Sequence, residues 1–324
     1  MKFVQLAKSL SEGLSPVYLV EGEEAYFRDH AVADIRARCG LSQPTLNDVR
    51  AEGDAVRGNL AGFAADLYAA PFFDAYRLVR LYEFYPTERE WENFLAPYCE
   101  NPCPSTVLVI VNGGKGKGAD LRRKKLVYVD CGRESADMLS RWLVGTMRRR
   151  GLSIDGDAAS LMILYCASDA ARMAGEADKL AFLLGKGGRV TRETVEEHVA
   201  KDVEYRVYEL TQATVRRRAS QFFVILHDLM EKGYDENAAL ASLTAYYRTL
   251  CECADVRGSN AEAAAALGLK PYAVQKNRET VASLGKERVH ELYTSLYGLT
   301  CAARGGGYSK AGALSAALAK IFFG

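Results

Sequence analysis

The residues that come closest to a phosphate site lie in two glycine-containing stretches. EGEEAYF (residues 21–27) falls between a predicted strand and a predicted helix, where nucleotide-binding proteins place the glycines, lysine and hydroxyl that hold phosphate. Three carboxylates stand there instead. GGKGKG (residues 113–118) lacks the spacing of a phosphate-binding loop, and the acidic pair that would hold magnesium is reduced to Glu83. The sequence therefore predicts a chain that binds no nucleotide cofactor and hydrolyses no ATP.

Cysteine and histidine spacing gives no sign of a metal site. The eight cysteines include no C-x-x-C pair, and the four histidines are scattered along the chain. The N-terminal residues lack the apolar core of a signal peptide, and no run approaches 18 apolar residues. We therefore expect no metal ion, reduced thiols, no membrane contact and a cytoplasmic location.

A basic cluster surrounds the second glycine stretch. Its members, Lys115, Lys117, Arg122, Arg123 and Lys124, followed by Lys125, are suited to contact with the phosphates of a DNA backbone. The formal net charge of the chain is only +1, so any contact with nucleic acid must come from such a local patch. The alternative interpretation, a solvated loop, is favoured by the residue types alone.

Pro71, Phe72 and Phe73 form a different kind of candidate site, a surface for a partner. Helical apolar spacing precedes Pro71 and a strand pattern follows, so the two phenylalanines lie on a connection, and connections run over the surface. The rings either fold back onto their own core or anchor a partner. Residue types alone favour the core.

The elements that position these residues alternate between strand and helix over residues 1–135. Apolar runs predict strands at 17–20, 78–82, 106–111 and 126–131, with a weaker one at 46–50. Helical spacing lies between them, and residues 56–67 predict one helix before Pro71. Alternation of this kind predicts a parallel sheet covered on both faces.

From residue 136 onward the strand patterns disappear and amphipathic helices follow. A small helical module is predicted for residues 136–203, with Thr191 capping its last helix, and longer helices are predicted for 204–324. Ser259 with Glu262 forms a capping box near the start of a helix–turn–helix pattern. Its second helix carries Gln275, Lys276, Asn277 and Arg278, which would read DNA in a transcription factor. An ordinary helical hairpin is the favoured alternative.

Several stretches, taken in order, resemble one protein family. They are PVYLVEGEEAYFRDHAV, PFFDAYRLV, STVLVIV with the basic loop after it, AARMAGEADKLAFLL, LTAYYRTL and AAALGLKPYAVQK. Together they resemble the delta subunit of bacterial DNA polymerase III, a component of the loader that places sliding clamps on DNA. The resemblance extends over most of the chain, although GGKGKG is more glycine-rich than the basic loop usual in that family.

The resemblance implies an α/β fold followed by an all-α part: an AAA+-like parallel-sheet domain without a P-loop (1–135), a helical lid (136–203) and a helical collar for oligomerisation (204–324). It implies a non-catalytic subunit of a nucleotidyltransferase assembly, working with a sliding clamp (beta), the other subunits of a hetero-pentamer and primed DNA. Phe72 and Phe73, next to Pro71, match the apolar pair that enters a clamp pocket and helps to open the ring. The alternative function is that of a helix-turn-helix transcription factor.

Overall fold

Five parallel strands form the central sheet of the N-terminal part of the chain. A computed structural model describes residues 1–114, 126–269 and 271–324. The strands of this sheet are β1 Val17–Glu21, β2 Asp48–Glu52, β3 Arg77–Tyr82, β4 Thr106–Asn112 and β5 Val127–Asp130. Their order is β2-β3-β4-β1-β5, and every neighbouring pair is parallel. The parallel sheet predicted from the sequence is confirmed.

Helices connect these strands and continue beyond them. They are α1 Phe3–Glu12, α2 Ala25–Cys39, α3 Pro44–Asn47, α4 Gly53–Arg57, α5 Leu60–Asp66, α6 Glu88–Glu90, a π-helical turn Trp91–Leu95, α7 Ala96–Glu100, α8 Ala136–Arg149, α9 Gly156–Tyr165, α10 Ala170–Leu184 and α11 Arg192–His198. Ser135, Asp169 and Thr191 each accept a hydrogen bond from a first-turn amide of the helix that follows, in α8, α10 and α11 respectively. The cap predicted at Thr191 is thus confirmed.

Two of the three inner strands, β1 and β4, explain why the sequence shows apolar runs instead of alternation. All residues of β1 and of β4 are buried, as expected for strands with a parallel neighbour on each side and helices over the sheet faces. Leu108 and Ile110 of β4 pack in one core with Phe63 and Leu67 from the α5 region and with Phe94 of the π-helical turn. The connection after α5 is therefore anchored in this core immediately before Pro71.

Two local features differ from the sequence prediction. The helix expected over 56–67 is divided into α4 and α5, because the side chain of Asn59 accepts a hydrogen bond from the Gly62 amide and so starts a new helix. The region after residue 136 also contains strands, β6 Ser153–Ile154 and β7 Arg189–Val190, which pair in parallel. Two residues are too few to produce a periodic signal.

Within residues 200–269 and 271–324, seven helices follow. They are α12 Val203–Val215, α13 Ala219–Glu231, α14 Glu236–Asp255, α15 Asn260–Leu267, α16 Pro271–Leu284, α17 Lys286–Arg304 and α18 Lys310–Phe323. Phe222, Leu243, Tyr247 and Leu296 are fully or almost fully buried in their common core. The predicted capping box of Ser259 and Glu262 begins α15, and Gly268 ends it in the left-handed conformation.

The chain forms two compact units. One comprises Met1–Ile163 with Ser168–Val199, and the other comprises Leu164–Ala167 with Ala200–Gly324. The finer division at residues 135 and 203 stays a prediction. Within the ranges that the structure describes, no helix is both long and apolar enough to cross a membrane.

Candidate partner-binding site

Phe72 and Phe73 lie on the surface of the N-terminal unit, on the connection between α5 and β3. Their side chains are 55% and 86% exposed, whereas Leu67, just upstream, is fully buried. The two rings contact each other edge to face, with centroids 4.4 Å apart and an interplanar angle of 74°. Pro71 beside them is half-buried. The core placement that residue types alone favoured is wrong, because neither ring packs into the core.

The backbone of Phe72 is held by the side chain of Asn47, the last residue of α3. The Phe72 amide donates to Asn47 Oδ1 at 2.7 Å, and Asn47 Nδ2 donates to the Phe72 carbonyl at 2.8 Å. Asn47 is only 1% exposed, and its Nδ2 also donates to Asp74 Oδ2 at 2.7 Å. Three hydrogen bonds therefore satisfy this buried amide and fix both peptide groups of Phe72.

Asp74, on the other side of the phenylalanine pair, is hydrogen-bonded to the segment that contains Ser42, Gln43 and Asn47. Its carboxylate accepts from the Ser42 amide at 2.9 Å, from the Ser42 hydroxyl, from the Gln43 amide at 3.0 Å and from Asn47 Nδ2. These donors hold the pKa of Asp74 well below its usual range, and the Ser42 hydroxyl has the largest effect. The carboxylate is consequently ionised at neutral pH.

Phe73 lies between these two anchors in a backbone conformation that phenylalanine rarely adopts. Its φ is +60°, in the left-handed region, which costs about 1–2 kcal/mol for a residue with a side chain. Because the ring is mostly exposed, its own packing cannot offset this cost. The neighbouring hydrogen bonds to Asn47 and Asp74 must therefore hold the conformation.

Sequence reasoning missed these supporting residues. Asn47 and Asp74 are common turn and cap residues, and nothing in their types shows that residues so far apart in the chain meet. Tyr68 was also missed: it is half exposed, its hydroxyl donates to the Asn101 carbonyl at 2.9 Å, and its ring lies edge to face with Tyr98. Tyr68 adds a third aromatic ring to the exposed part of the connection after α5.

The connection after β1, where a nucleotide-binding protein would hold phosphate, is filled by the chain itself. The Gly22 amide donates to the Asn112 carbonyl at 3.2 Å, and the Glu24 amide donates to the Cys131 carbonyl at 3.0 Å. Amides that would otherwise face a phosphate are therefore already bonded. Burial raises the pKa of Glu24, whose carboxylate lies in the same connection. No cluster of three or more metal-ligating side chains occurs among the described residues.

The predicted basic cluster, Lys115, Lys117, Arg122, Arg123 and Lys124, lies outside the described residues. Gly113 and Gly114, the two residues that precede this cluster, are held in place by hydrogen bonds. The Gly113 amide donates to Glu83 Oε1 at 2.9 Å and the Gly114 amide donates to the Tyr85 hydroxyl at 3.0 Å, which itself donates to Glu83 at 2.7 Å. Glu83, which the sequence singled out as the remainder of an acidic pair, thus binds the backbone at Gly113.

The residues proposed for DNA readout on α16 bond to their own chain. The Arg278 guanidinium donates to the carbonyls of Cys253, Val256 and Gly258 and to Asn260 Oδ1, at 2.7–3.3 Å. Gln275 and Lys276 both donate to Glu279, at 3.0 and 2.7 Å. Arg278 therefore holds α16 against the connection between α14 and α15 and is engaged within its own chain.

Comparison with known proteins gives three findings. Residues 204–321 match the family model described as DNA polymerase III delta subunit, C-terminal domain. The chain is 23% identical over 259 residues to DNA polymerase III subunit delta of Bacillus subtilis (strain 168), covering 76% of this chain and 74% of that protein. A solved structure of the Bacillus subtilis DNA clamp loader delta protein (YqeN) covers 99% of both chains, with a TM-score of 0.67 and 20% identity.

The parallel sheet and the helices after it define an α/β protein with a helical C-terminal region, as predicted, and its fold is similar to that of the Bacillus subtilis delta protein. Within this class the resemblance to the delta subunit of bacterial DNA polymerase III is confirmed, and residues 204–321 match the model of that family's C-terminal domain.

Proposed function

We propose that this chain is the clamp-loader subunit that binds a ring-shaped sliding clamp and opens it for loading onto primed DNA. The observation that carries the proposal is the exposed pair Phe72 and Phe73, held on the surface by Asn47 and Asp74. Two adjacent aromatic rings outside the core are suited to a hydrophobic pocket on a partner.

The size of the two rings sets the expected contribution to binding. Burying one large apolar side chain in a partner contributes about 1.5–3 kcal/mol, which corresponds to roughly tenfold to hundredfold in affinity. The contribution to folding is small in comparison, because both rings are largely exposed in the free chain. Substitution of the pair should therefore separate binding from stability.

The chain performs this role without hydrolysing ATP itself. The connection after β1 offers carboxylates and amides that already donate to Asn112 and Cys131, so it is unsuited to phosphate. Other subunits of the assembly would supply the nucleotide chemistry. A subunit that loads clamps onto DNA acts where the DNA is, which agrees with the cytoplasmic location expected from the sequence.

The C-terminal helices are proposed to contact the other loader subunits. Their unit exposes several large apolar side chains, among them Phe223 at 53%, Val224 at 70% and Tyr272 at 69%. Phe223 and Val224 are neighbours on α13, next to the fully buried Phe222. Exposed apolar residues of this kind are typical of an interface with a partner chain.

The test is the affinity of the chain for a purified bacterial sliding clamp. We expect Phe72→Ala with Phe73→Ala to lower that affinity more than about a hundredfold while the melting temperature stays within a few degrees of the wild type. Phe182→Ala is the matched control, since Phe182 is 92% exposed on α10 of the same unit. A double variant that melts far earlier, or that binds the clamp normally, would contradict the proposal.

DNA binding by the purified chain tests the alternative function. A transcription factor that reads bases through α16 would bind one DNA sequence with a steep salt dependence. We expect no sequence preference, because Arg278 and its neighbours bond to their own chain. Specific DNA binding lost on Gln275→Ala would restore the helix-turn-helix interpretation.

A further inference from the structure

The N-terminal unit uses the same asparagine arrangement at two phenylalanines. Asn112, 2% exposed, accepts from the Phe84 amide and donates to the Phe84 carbonyl, both at 3.1 Å. Asn47, 1% exposed, makes the same pair of bonds to Phe72. Phe84 is fully buried, whereas Phe72 is largely exposed. The arrangement at Phe84 supports a core ring, and the one at Phe72 supports a ring outside the core.

We propose that Asn47 is a positioning residue for partner binding: it fixes Phe72 and Phe73 in the conformation that the partner recognises before the partner arrives. The inference rests on the proposed function, because it assigns a role within the same surface. Asn47 itself is buried beneath the pair and would act through the backbone of Phe72.

The position of the Phe73 ring depends on its backbone and not on its own contacts with the core. The ring is 86% exposed and contacts the ring of Phe72. Its φ of +60° is one that a free loop would leave readily. The residues on both sides are tied to Asn47, Phe72 directly and Asp74 through its carboxylate, so the loop cannot relax while Asn47 holds them.

A fixed pair improves affinity without adding any contact to the partner. Ordering an interface loop and its side chains on binding opposes association, and a loop that is already ordered avoids that loss. Substitution of Asn47 should therefore weaken binding although Asn47 never touches the partner. The effect should be seen in the free chain as well. The Phe72 amide donates to Asn47 Oδ1, so its hydrogen exchange should become faster when Asn47 is substituted.

The experiment compares Asn47→Ala with Asn112→Ala in the full chain. Each variant removes one buried amide and two bonds to a phenylalanine backbone, and Asn47→Ala also removes the bond to Asp74, so both melting temperatures should fall. With both variants folded at the temperature of measurement, Asn47→Ala should lower affinity for a purified sliding clamp about tenfold or more, and Asn112→Ala less than about twofold. Asn47→Asp is a second variant of unchanged size, whose new charge faces Asp74 and should act in the same direction.

A double-mutant comparison separates positioning from general damage. In a Phe73→Ala background, where one ring to be positioned is gone, Asn47→Ala should lose much of its effect on affinity. Equal losses for Asn47→Ala and Asn112→Ala, or a full effect in the Phe73→Ala background, would overturn the inference. If the wild-type chain failed to bind the clamp, the proposed function would fall. The exchange of the Phe72 amide would still decide the role of Asn47, and an unchanged rate in Asn47→Ala would refute it.

Discussion

Gly22 lies directly against the backbone of Cys131: a Cβ at Gly22 would stand 2.1 Å from the Cys131 carbonyl carbon. The φ of Gly22 is +150°, which side chains also disfavour. Contact between two backbone segments leaves nothing flexible to move aside. The connection after β1 is therefore closed onto the end of β5 in a way that requires glycine.

Gly22→Ala should destabilise the N-terminal unit by about 2–4 kcal/mol, since backbone strain and a backbone clash act together. Gly13→Ala is the matched control, because its φ of +153° is nearly the same and no atom lies within 4 Å of its Cβ position. Urea unfolding of both variants measures the difference. Equal losses at the two glycines would mean that the contact with Cys131 adds nothing.

The chain should bind no ATP. The Gly22 and Glu24 amides already donate to carbonyls, and the carboxylates of the same connection repel phosphate. Calorimetry with micromolar ATP and magnesium should show no heat of binding, and no phosphate should be released. Binding that disappears on adding EDTA would contradict this expectation.

Phe222 and Phe223 on α13 should respond oppositely to truncation. Phe222 is fully buried and Phe223 is 53% exposed, although their rings lie only 5.7 Å apart. Phe222→Ala should cost about 3–5 kcal/mol of stability. Phe223→Ala should change stability by less than about 0.5 kcal/mol and instead weaken association with the other loader subunits. Assembly that tolerates Phe223→Ala, Val224→Ala and Tyr272→Ala together would argue against the proposed collar contact.

The support of the phenylalanine pair should depend on pH through Asp74. Its pKa is lowered in the folded chain, chiefly by the Ser42 hydroxyl, so its stabilising effect is complete above the unfolded pKa of about 3.9. That effect is lost as the pH falls through the lower, folded pKa. Ser42→Ala should therefore reduce the urea midpoint at pH 7 and pH 5, and the difference from wild type should narrow below about pH 4. A difference that stays constant with pH would point to lost packing instead.

The sequence predicted the inner strands of the sheet well because they are short apolar runs with both faces covered, as at Leu108 in β4, whereas the edge strand β2 gave only a weak signal. It placed Phe72 and Phe73 on a connection because Pro71 disfavours helical geometry at Ala70, although α5 already ends at Asp66. The residue types could not show that the rings point outward, since that depends on Asn47 and Asp74, which lie on different connections of the sheet. The break between α4 and α5 was missed because the apolar spacing continues through it, while the Asn59 cap that causes it is a single polar residue.

The order of strands in the sheet also has a consequence for synthesis of the chain. β1 lies between β4 and β5, so Val17 pairs with Leu108 and Tyr18 pairs with Val127. On a ribosome, β1 therefore emerges long before either neighbour exists, and its apolar residues have no strand to pair with during that interval. Contacts between residues so distant in sequence form slowly, and until they form the apolar, aggregation-prone segments stay exposed. The nascent N-terminal unit should consequently rely on chaperones until β5 has been released.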